Sequence, residues 1–156
     1  MLDLGRLYLP DWSGIPPHMS SRDFLIWRAW HEKTWPQWMG FYFDVAVGTP
    51  AELPLGVDPK KAASLQRISL KRLDALGVKK DRYVVIEVRP AASSSPAGAV
   101  LLYRYLLLLE AKLTLPIEQL IVTDQSDPDS RKFFEHQGIE LVEVGPVLLG
   151  VEFARA

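Results

Sequence analysis

The sequence contains no cysteine among its 156 residues, which excludes a disulfide framework, thiolate chemistry and a cysteine-based zinc site. No uncharged apolar run approaches the roughly 18–20 residues that a membrane-spanning helix requires. The first residues, MLDLGRLYLPDW, place an acid at Asp3 and lack the long apolar region of a signal peptide. We therefore expect a protein that is made in the cytoplasm, is not secreted and does not contact a membrane.

The chain also has little net charge of either sign. Eighteen Lys and Arg residues are set against nineteen Asp and Glu residues, which leaves a formal charge of −1. This balance disfavours broad nonspecific binding to nucleic acid, for which a strong positive charge is typical. Hydrophobic residues make up 48% of the chain, so there is enough apolar material for one globular domain and the chain is not disordered throughout.

Proline, glycine and apolar residues divide the chain into three regions. Residues 1–20 contain three prolines and an aperiodic set of apolar side chains. This composition predicts an extended N-terminal arm that lies on its own domain or on a neighbouring chain. Residues 21–145 carry helix and strand patterns and are expected to form the folded domain, and residues 146–156 form an apolar C-terminal tail.

Capping residues mark the beginnings of three predicted helices. Ser20, Asp58 and Asp127 each precede a helical pattern, and Pro59 and Pro128 follow the two aspartates at the first helical position. Apolar residues at helical spacing predict that one face of each helix is buried. These residues are Phe24, Trp27 and Trp30 in the first helix, Ala62, Leu65 and Ile68 in the second, and Phe133 and Phe134 in the third.

Strands are predicted where β-branched and aromatic residues alternate or cluster, at Met39–Val47, Tyr83–Val88, Leu120–Thr123 and Ile139–Val144. Residues 70–76 fit either a continued helix or a short strand from Arg72 to Leu76. The strand is favoured because residues 77–81 then form a hairpin loop that leads into the next strand. A further helix over residues 97–112 is apolar on most sides, so we expect it to be heavily buried.

The order of these elements predicts an α/β (α+β) domain with a mixed sheet covered by helices. Helices between the later strands imply parallel pairing there, and the hairpin implies antiparallel pairing in the middle. We expect the core to contain Phe41, Phe43, Ile86, Val88, Leu102, Leu109, Ile121 and Phe134.

Three charged side chains on the predicted hairpin converge if its strands pair as expected. Glu87 and Arg89 are two residues apart in a strand and point to the same face, and Asp74 on the preceding strand can lie beside them. Two adjacent carboxylates are ligands for a hard cation such as Mg²⁺, which can polarise a phosphoryl oxygen and activate a water. The alternative is a solvated network of ion pairs on the polar face of the hairpin.

Five short motifs, taken in order, resemble members of the PD-(D/E)XK nuclease superfamily, and in particular a group of small phage-encoded proteins. The motifs are FYFDVAVG, KRLDALG, VVIEVRPAAS, AGAVLLYRYL and LIVTDQSDPDS, and the resemblance covers about residues 21–145. It implies a restriction-endonuclease-like αβββαβ core with an extra C-terminal helix and strand.

The resemblance also assigns roles to the charged residues of the hairpin. Asp74 and Glu87 are implied as the metal-binding carboxylates, with Mg²⁺ as the metal of an active enzyme, and Arg89 stands where the superfamily has its catalytic lysine. Arginine is a planar and permanently charged group that cannot exchange protons as a lysine can.

Ala99 stands where many members carry a glutamine in the following helix. Asp44 is an extra acid that either joins a metal site or makes a hydrogen bond on the sheet face.

These departures lead to a first hypothesis: a phage virion structural or assembly protein, connector- or tail-associated, on a catalytically degenerate nuclease-like fold. It would need no cofactor, and it would bind other virion proteins through its arm and tail in an oligomeric assembly. The alternative is an active Mg²⁺-dependent DNA endonuclease. A third reading is a non-catalytic DNA-binding module, whose phosphate contacts would come from a basic cluster formed by Lys60, Lys61, Arg67, Lys71, Arg72, Lys79 and Lys80.

Overall fold

Helices and strands follow one another in the order α1-β1-α2-β2-β3-α3-β4-α4-β5 in the computed structural model, which describes residues 2–147. The helices are α1 (Ser21–Thr34), α2 (Pro59–Ser69), α3 (Ser95–Glu110) and α4 (Pro128–His136). The strands are β1 (Gly40–Val47), β2 (Lys71–Val78), β3 (Tyr83–Val88), β4 (Ile117–Thr123) and β5 (Glu140–Glu143). Most of the expected apolar tail, from residue 148 onward, lies outside the described residues.

The three expected helix caps are all present. Ser20 Oγ accepts the N–H of Asp23 at 3.1 Å, and Asp58 Oδ1 accepts the N–H of Lys60 at 2.9 Å. Asp127 caps α4 in the same way, through the amide of the third helical residue. Each oxygen satisfies an amide that has no partner within its own helix, which is why these residues mark the helix beginnings.

The five strands form one mixed sheet in the order β1-β2-β3-β4-β5. The β1–β2 and β2–β3 pairs are antiparallel, and the β3–β4 and β4–β5 pairs are parallel, which confirms the mixed sheet. The predicted strand from Arg72 to Leu76 is also confirmed, but β2 continues to Val78, so Gly77 is not in the hairpin loop. A Cβ on Gly77 would lie 2.3 Å from Trp38 Cζ3, so only glycine admits the indole there.

Helices cover both faces of the sheet and enclose two apolar clusters. The cluster under α1 contains Trp27, Trp30, Phe41 and Ile86. The cluster under α3 and α4 is built around side chains from the strands and both helices, including Val85, Val100, Ile121, Leu107 and Phe134. The central strand β3 is therefore covered on both sides, because its alternate residues enter different clusters.

Expectations about burial were wrong for three helices. Leu102 and Leu109 of α3 are not core residues but are 39% and 61% exposed, and Phe133 of α4 is also exposed. No residue of α2 is buried, although its apolar stripe is present, and Ile68 is 72% exposed. Within the described residues, these apolar side chains are left open to solvent.

The N-terminal arm lies against its own domain along strand β1. Tyr8 and Phe41 exchange both backbone hydrogen bonds, at 2.8 and 3.0 Å, so the arm adds one bridge to the edge of the sheet. Leu2 and Leu4 pack on the cluster under α3, whereas Tyr8 and Trp12 pack on the cluster under α1. The arm therefore wraps around the edge strand and contacts both cores.

His31 of α1 is a buried side chain. Its Nε2 lies 2.6 Å from the carbonyl oxygen of Pro10, and its ring stacks on Trp27.

No helix in residues 2–147 combines the length and apolar character needed to cross a bilayer.

Candidate active site

The carboxylates of Asp74 and Glu87 meet where strands β2 and β3 separate. The β2–β3 ladder ends at the pair Ala75–Ile86, and the next pair in that register would be Asp74 opposite Glu87. Asp74 Oδ2 instead accepts the backbone N–H of Val88 at 2.8 Å, so a side chain replaces the missing ladder bond. The predicted convergence of the two acids on neighbouring strands is therefore present.

A local reversal of side-chain direction accompanies this separation. On β1, Phe43 enters the cluster under α1 whereas Val45, two residues later, enters the cluster under α3. The two residues that flank Asp74 on β2 likewise enter opposite clusters. Asp44 lies between Phe43 and Val45 with φ of 53° and has no ladder partner. A regular strand would keep side chains two residues apart on one face of the sheet. At the level of the site, the side chains of both strands therefore switch from one face to the other.

Arg89 makes a close ion pair with Glu87. Arg89 Nη2 lies 2.6 Å from Glu87 Oε1, as expected for a charge-assisted hydrogen bond. Glu87 is only 4% exposed, whereas the Arg89 side chain is 45% exposed. Among the described residues no group donates a hydrogen bond to Glu87 Oε2, which is also buried. This burial is incompatible with the solvated ion-pair network that was the alternative reading.

Burial raises the pKa of both carboxyl groups. The pKa of Glu87 rises to about 8, first because the group is removed from water and second because Asp74 carries the same charge; Arg89 opposes both effects. The pKa of Asp74 rises to about 6, again chiefly through burial, and the Val88 N–H acts in the opposite direction. Near neutral pH the pair therefore holds at least one proton, and the two groups titrate together.

Sequence reasoning missed two neighbours of this pair. Asp23 of α1 is close enough for its charge to raise the pKa of both carboxyl groups. The pKa of Tyr103 in α3 is raised by burial and then by the charges of Glu87 and Asp74. Helical spacing in the sequence places Tyr103 on the inner side of α3. Its position near Glu87 and Asp74 depends on how α3 packs on the sheet.

Asp124 organises the loops beside the site, and it too was missed. It is 7% exposed, and its Oδ1 accepts the N–H groups of Ala91 and Gln125 at 2.7 and 2.9 Å. Its Oδ2 pairs with Arg22 of α1 at 3.0 Å. Burial acts to raise the pKa of Asp124, but these hydrogen bonds and the Arg22 charge outweigh it and lower the pKa. Its position directly after a buried strand was the available signal.

The loops that Asp124 ties together border a shallow cavity. They follow the parallel strands β3 and β4, so both leave the sheet at the same edge. The cavity has a volume of about 270 Å³ and is lined by Ala91, Ala92, Gln125, Ser126 and Asp127. None of these side chains is a strong nucleophile or base, so the cavity adds no reactive group to the site.

Asp44 does not join Asp74 and Glu87 as a ligand. Its Oδ2 accepts a hydrogen bond from Arg72 Nη1 at 2.9 Å and lies 3.2 Å from His18 Nε2. Of the two readings left open by the sequence, the structure places Asp44 in an ion pair on the sheet. Its charge still reaches Asp74, whose pKa it helps to raise.

The described side chains meet the requirements of Mg²⁺ only in part. Mg²⁺ demands octahedral oxygen coordination and is usually held by one or two carboxylates together with waters and substrate phosphates. Asp74 and Glu87 offer two carboxylates, but one oxygen of each already accepts a hydrogen bond. Within residues 2–147, no three His, Asp or Glu side chains are grouped to hold a metal ion.

The basic residues do not form one surface. Lys71 is the first residue of β2, and Lys79 follows its last residue. At the rise of an extended strand their Cα atoms are about 25 Å apart. Arg72 is paired with Asp44, and Lys79 Nζ lies 4.5 Å from the centre of the Trp38 ring. The expected cluster is thus divided into a group around α2 and a group at the hairpin.

Comparison with protein-family models, with curated proteins and with solved structures finds no match to this chain. The mixed α/β architecture stands on the structure itself. No family is identified for this chain by these comparisons.

Proposed function

We propose that this chain is a virion structural or assembly protein, connector- or tail-associated, whose PD-(D/E)XK-like core has lost catalysis. The observation that carries the proposal is the 2.6 Å contact between Arg89 and Glu87. In the active superfamily pattern a lysine stands at this position beside the metal-binding carboxylates. Here the position holds a guanidinium, which is bound to one of those carboxylates.

The exchange of lysine for arginine changes what the position can do. A lysine amine can lose its proton in a buried site and assist an attacking water, whereas a guanidinium remains protonated. The Arg89 guanidinium also supplies the positive charge that Glu87 would otherwise offer to a cation. A metal ion would have to displace this partner and the proton held by the carboxyl pair, so its apparent affinity falls.

The exposed apolar surface favours protein partners over DNA. Leu7, Leu9 and Ile15 of the arm are all exposed, as are apolar faces of α2 and α3. Contiguous apolar side chains on a surface often mark contact with other protein chains. The divided basic residues and the net charge of −1 give little support to a continuous phosphate-binding surface.

A plasmid-nicking assay tests the loss of catalysis. We expect no cleavage above the level of Glu87→Ala in the presence of Mg²⁺ or Mn²⁺, because the site lacks a proton-exchanging residue at position 89. Arg89→Lys is the matched variant, since it restores the amine while keeping the charge. Metal-dependent nicking by the parent that Glu87→Ala abolishes would overturn the proposal.

Mass spectrometry of purified phage particles tests the assembly role. We expect this chain to co-purify with particles at a fixed stoichiometry to the other tail or connector proteins. Its absence from intact particles, together with its presence in the soluble lysate, would contradict a structural role in the virion.

The second candidate, a Mg²⁺-dependent DNA endonuclease, is favoured by one observation. Glu87 Oε2 is buried without a hydrogen-bond donor among the described residues, next to the Asp74 carboxylate. An unpaired carboxylate oxygen in such a position is available to a cation. The nicking assay separates this candidate from the first, and salt-dependent retention on DNA without cleavage would identify a non-catalytic DNA-binding module.

A further inference from the structure

Helix α2 forms without a partner in the described chain. It has 11 residues, and none of them is buried. Isolated helices of this length are marginal in water, because most helical stability in proteins comes from packing an amphipathic face. The apolar face of α2, which we define as Leu65 and Ile68, is exposed, at 40% and 72%. Packing of this face against another surface would therefore stabilise α2.

Helix α3 presents a second and larger exposed apolar face. This α3 face consists of Leu102, Tyr105, Leu108 and Leu109, which follow helical spacing and are each 39–61% exposed. A fully exposed large side chain contributes about 200 Å², so the α3 face offers roughly 400 Å² of apolar surface and the α2 face roughly 200 Å². Neither value exceeds the largest patch on an ordinary monomer, which is roughly 300–600 Å².

The two faces belong to neighbouring parts of the fold. The N–H of Gly48 donates to both carboxylate oxygens of Glu110, at 3.0 and 3.3 Å, so the loop that leads to α2 begins at the last turn of α3. The N–H of Ala51 donates to Ser69 Oγ at 2.8 Å, which ties the same loop to the end of α2. This loop therefore connects the last turn of α3 to the end of α2.

We propose that these faces form an interface between two copies of this chain, with α2 of each copy lying against α3 of the other. A two-fold axis produces this contact twice, so both faces on both copies are covered. The area then reaches about 600 Å² for each partner, or about 1,200 Å² in total, which is the lower end of the range for stable interfaces. A contact of α2 with α2 alone, or of α3 with α3 alone, would bury less than this range.

This interface extends the proposed assembly role by naming the first partner, a second copy of the chain. It does not depend on whether the core cleaves DNA. The cleavage assay and the association measurements below can therefore fail independently of each other.

Sedimentation equilibrium of the full-length protein tests the interface. We expect the parent chain to be a dimer, and Ile68→Lys and Leu109→Glu each to weaken its dissociation constant at least about tenfold, as loss of a buried interface side chain does. Both side chains are exposed in the single chain, so circular dichroism should be unchanged. Leu9→Lys is the matched control, because Leu9 is an exposed apolar residue of the arm and should leave the dimer intact.

An equal mixture of Ile68→Lys and Leu109→Glu distinguishes this pairing from other dimers. In the mixed dimer one α2–α3 contact is that of the parent and the other joins a lysine to a glutamate, so association should be restored. Contacts of α2 with α2, or of α3 with α3, would not be restored in this way. A monomeric parent, dimers unaffected by both substitutions, or a mixture that stays dissociated would each overturn the proposal.

Disulfide trapping provides a second measurement that does not depend on charged substitutions. The chain has no cysteine of its own, so Ile68→Cys and Leu109→Cys each introduce a single thiol. When the two variants are mixed and oxidised, the disulfide between residue 68 and residue 109 of different copies should form faster than either symmetric disulfide. Predominance of a symmetric disulfide would contradict the proposed arrangement.

Discussion

Arg89 donates to one oxygen of Glu87 at 2.6 Å, while the other oxygen of Glu87 is buried and accepts no hydrogen bond from the described residues. A single guanidinium therefore faces a carboxyl group whose pKa is still raised, because burial and the neighbouring Asp74 charge outweigh the ion pair. The charged form of this pair is tolerated in the folded protein but lowers its stability. This relationship leads to predictions about pH as well as about catalysis.

The first prediction concerns Glu87→Gln and the pH dependence of stability. Because the folded-state pKa of Glu87 is raised from 4.5 to about 8, the folded state binds the proton more tightly than the unfolded state. The associated stability is fully present below pH 4.5 and is lost as the pH rises towards 8. Glu87→Gln removes this titration. The variant should therefore be more stable than the parent at pH 9, by a larger margin than any difference between them at pH 4.5.

Urea unfolding at the two pH values measures this effect. Glu135→Gln is the matched control, because Glu135 is exposed on α4 and should shift the free energy of unfolding little at either pH. If the parent and Glu87→Gln lose the same free energy of unfolding between pH 4.5 and pH 9, Glu87 is not the group responsible.

The second prediction compares two substitutions of Asp74. Asp74→Asn keeps an oxygen that can accept the Val88 N–H and removes the buried charge, so it should be at least as stable as the parent at pH 8. Asp74→Ala leaves that N–H without its side-chain acceptor and should cost about 1–3 kcal/mol. Denaturant unfolding measures both, and equal stability of the two variants would show that the Val88 hydrogen bond contributes nothing.

The third prediction tests the assignment of strand faces. Ile86 is fully buried in the cluster under α1, so Ile86→Ala should lower the free energy of unfolding by about 2–5 kcal/mol. Leu9→Ala removes a comparable side chain from an exposed position and should change stability by less than about 0.5 kcal/mol. A loss well below 1 kcal/mol for Ile86→Ala would mean that the faces of β3 are assigned wrongly.

The fourth prediction uses two glycines as a pair. Gly77→Ala places a Cβ 2.3 Å from Trp38 Cζ3 and should cost about 1–3 kcal/mol of stability through overpacking. Gly98→Ala lies within α3, where a Cβ meets no atom within 4 Å, and should stabilise the helix by up to about 1 kcal/mol. Thermal unfolding measures both, and a neutral Gly77→Ala would contradict the close contact of Trp38 with β2.

Much of the fold could be predicted from local patterns. The caps at Ser20, Asp58 and Asp127 act on amides within three residues, so they could be identified from sequence alone. The hairpin placed Asp74 near Glu87 because strand pairing across a short connection leaves little choice of register. The position of Arg89 beside Glu87 followed from the two-residue period of a strand.

Burial was predicted less well where it depends on distant parts of the chain. Leu102 and Leu109 are apolar and were expected in the core, but a buried helix and a helix with a second apolar face have similar composition. The stripe on α2 was recognised, yet the surface that should cover it is not part of the same described chain. The switch of strand faces at Asp44 leaves no periodic pattern in the sequence, because it arises from a single residue with positive φ inside a strand.

The sequence by itself determined the elements, their caps, the mixed order of strands and the convergence of Asp74, Glu87 and Arg89, because these depend on residues close along the chain. Only the tertiary structure decided that Glu87 is buried rather than solvated, that Arg89 is bound to it, and that the faces of α2 and α3 remain open. The physical reason is that burial depends on which surfaces cover a side chain, and those surfaces come from segments far away in sequence or from another chain.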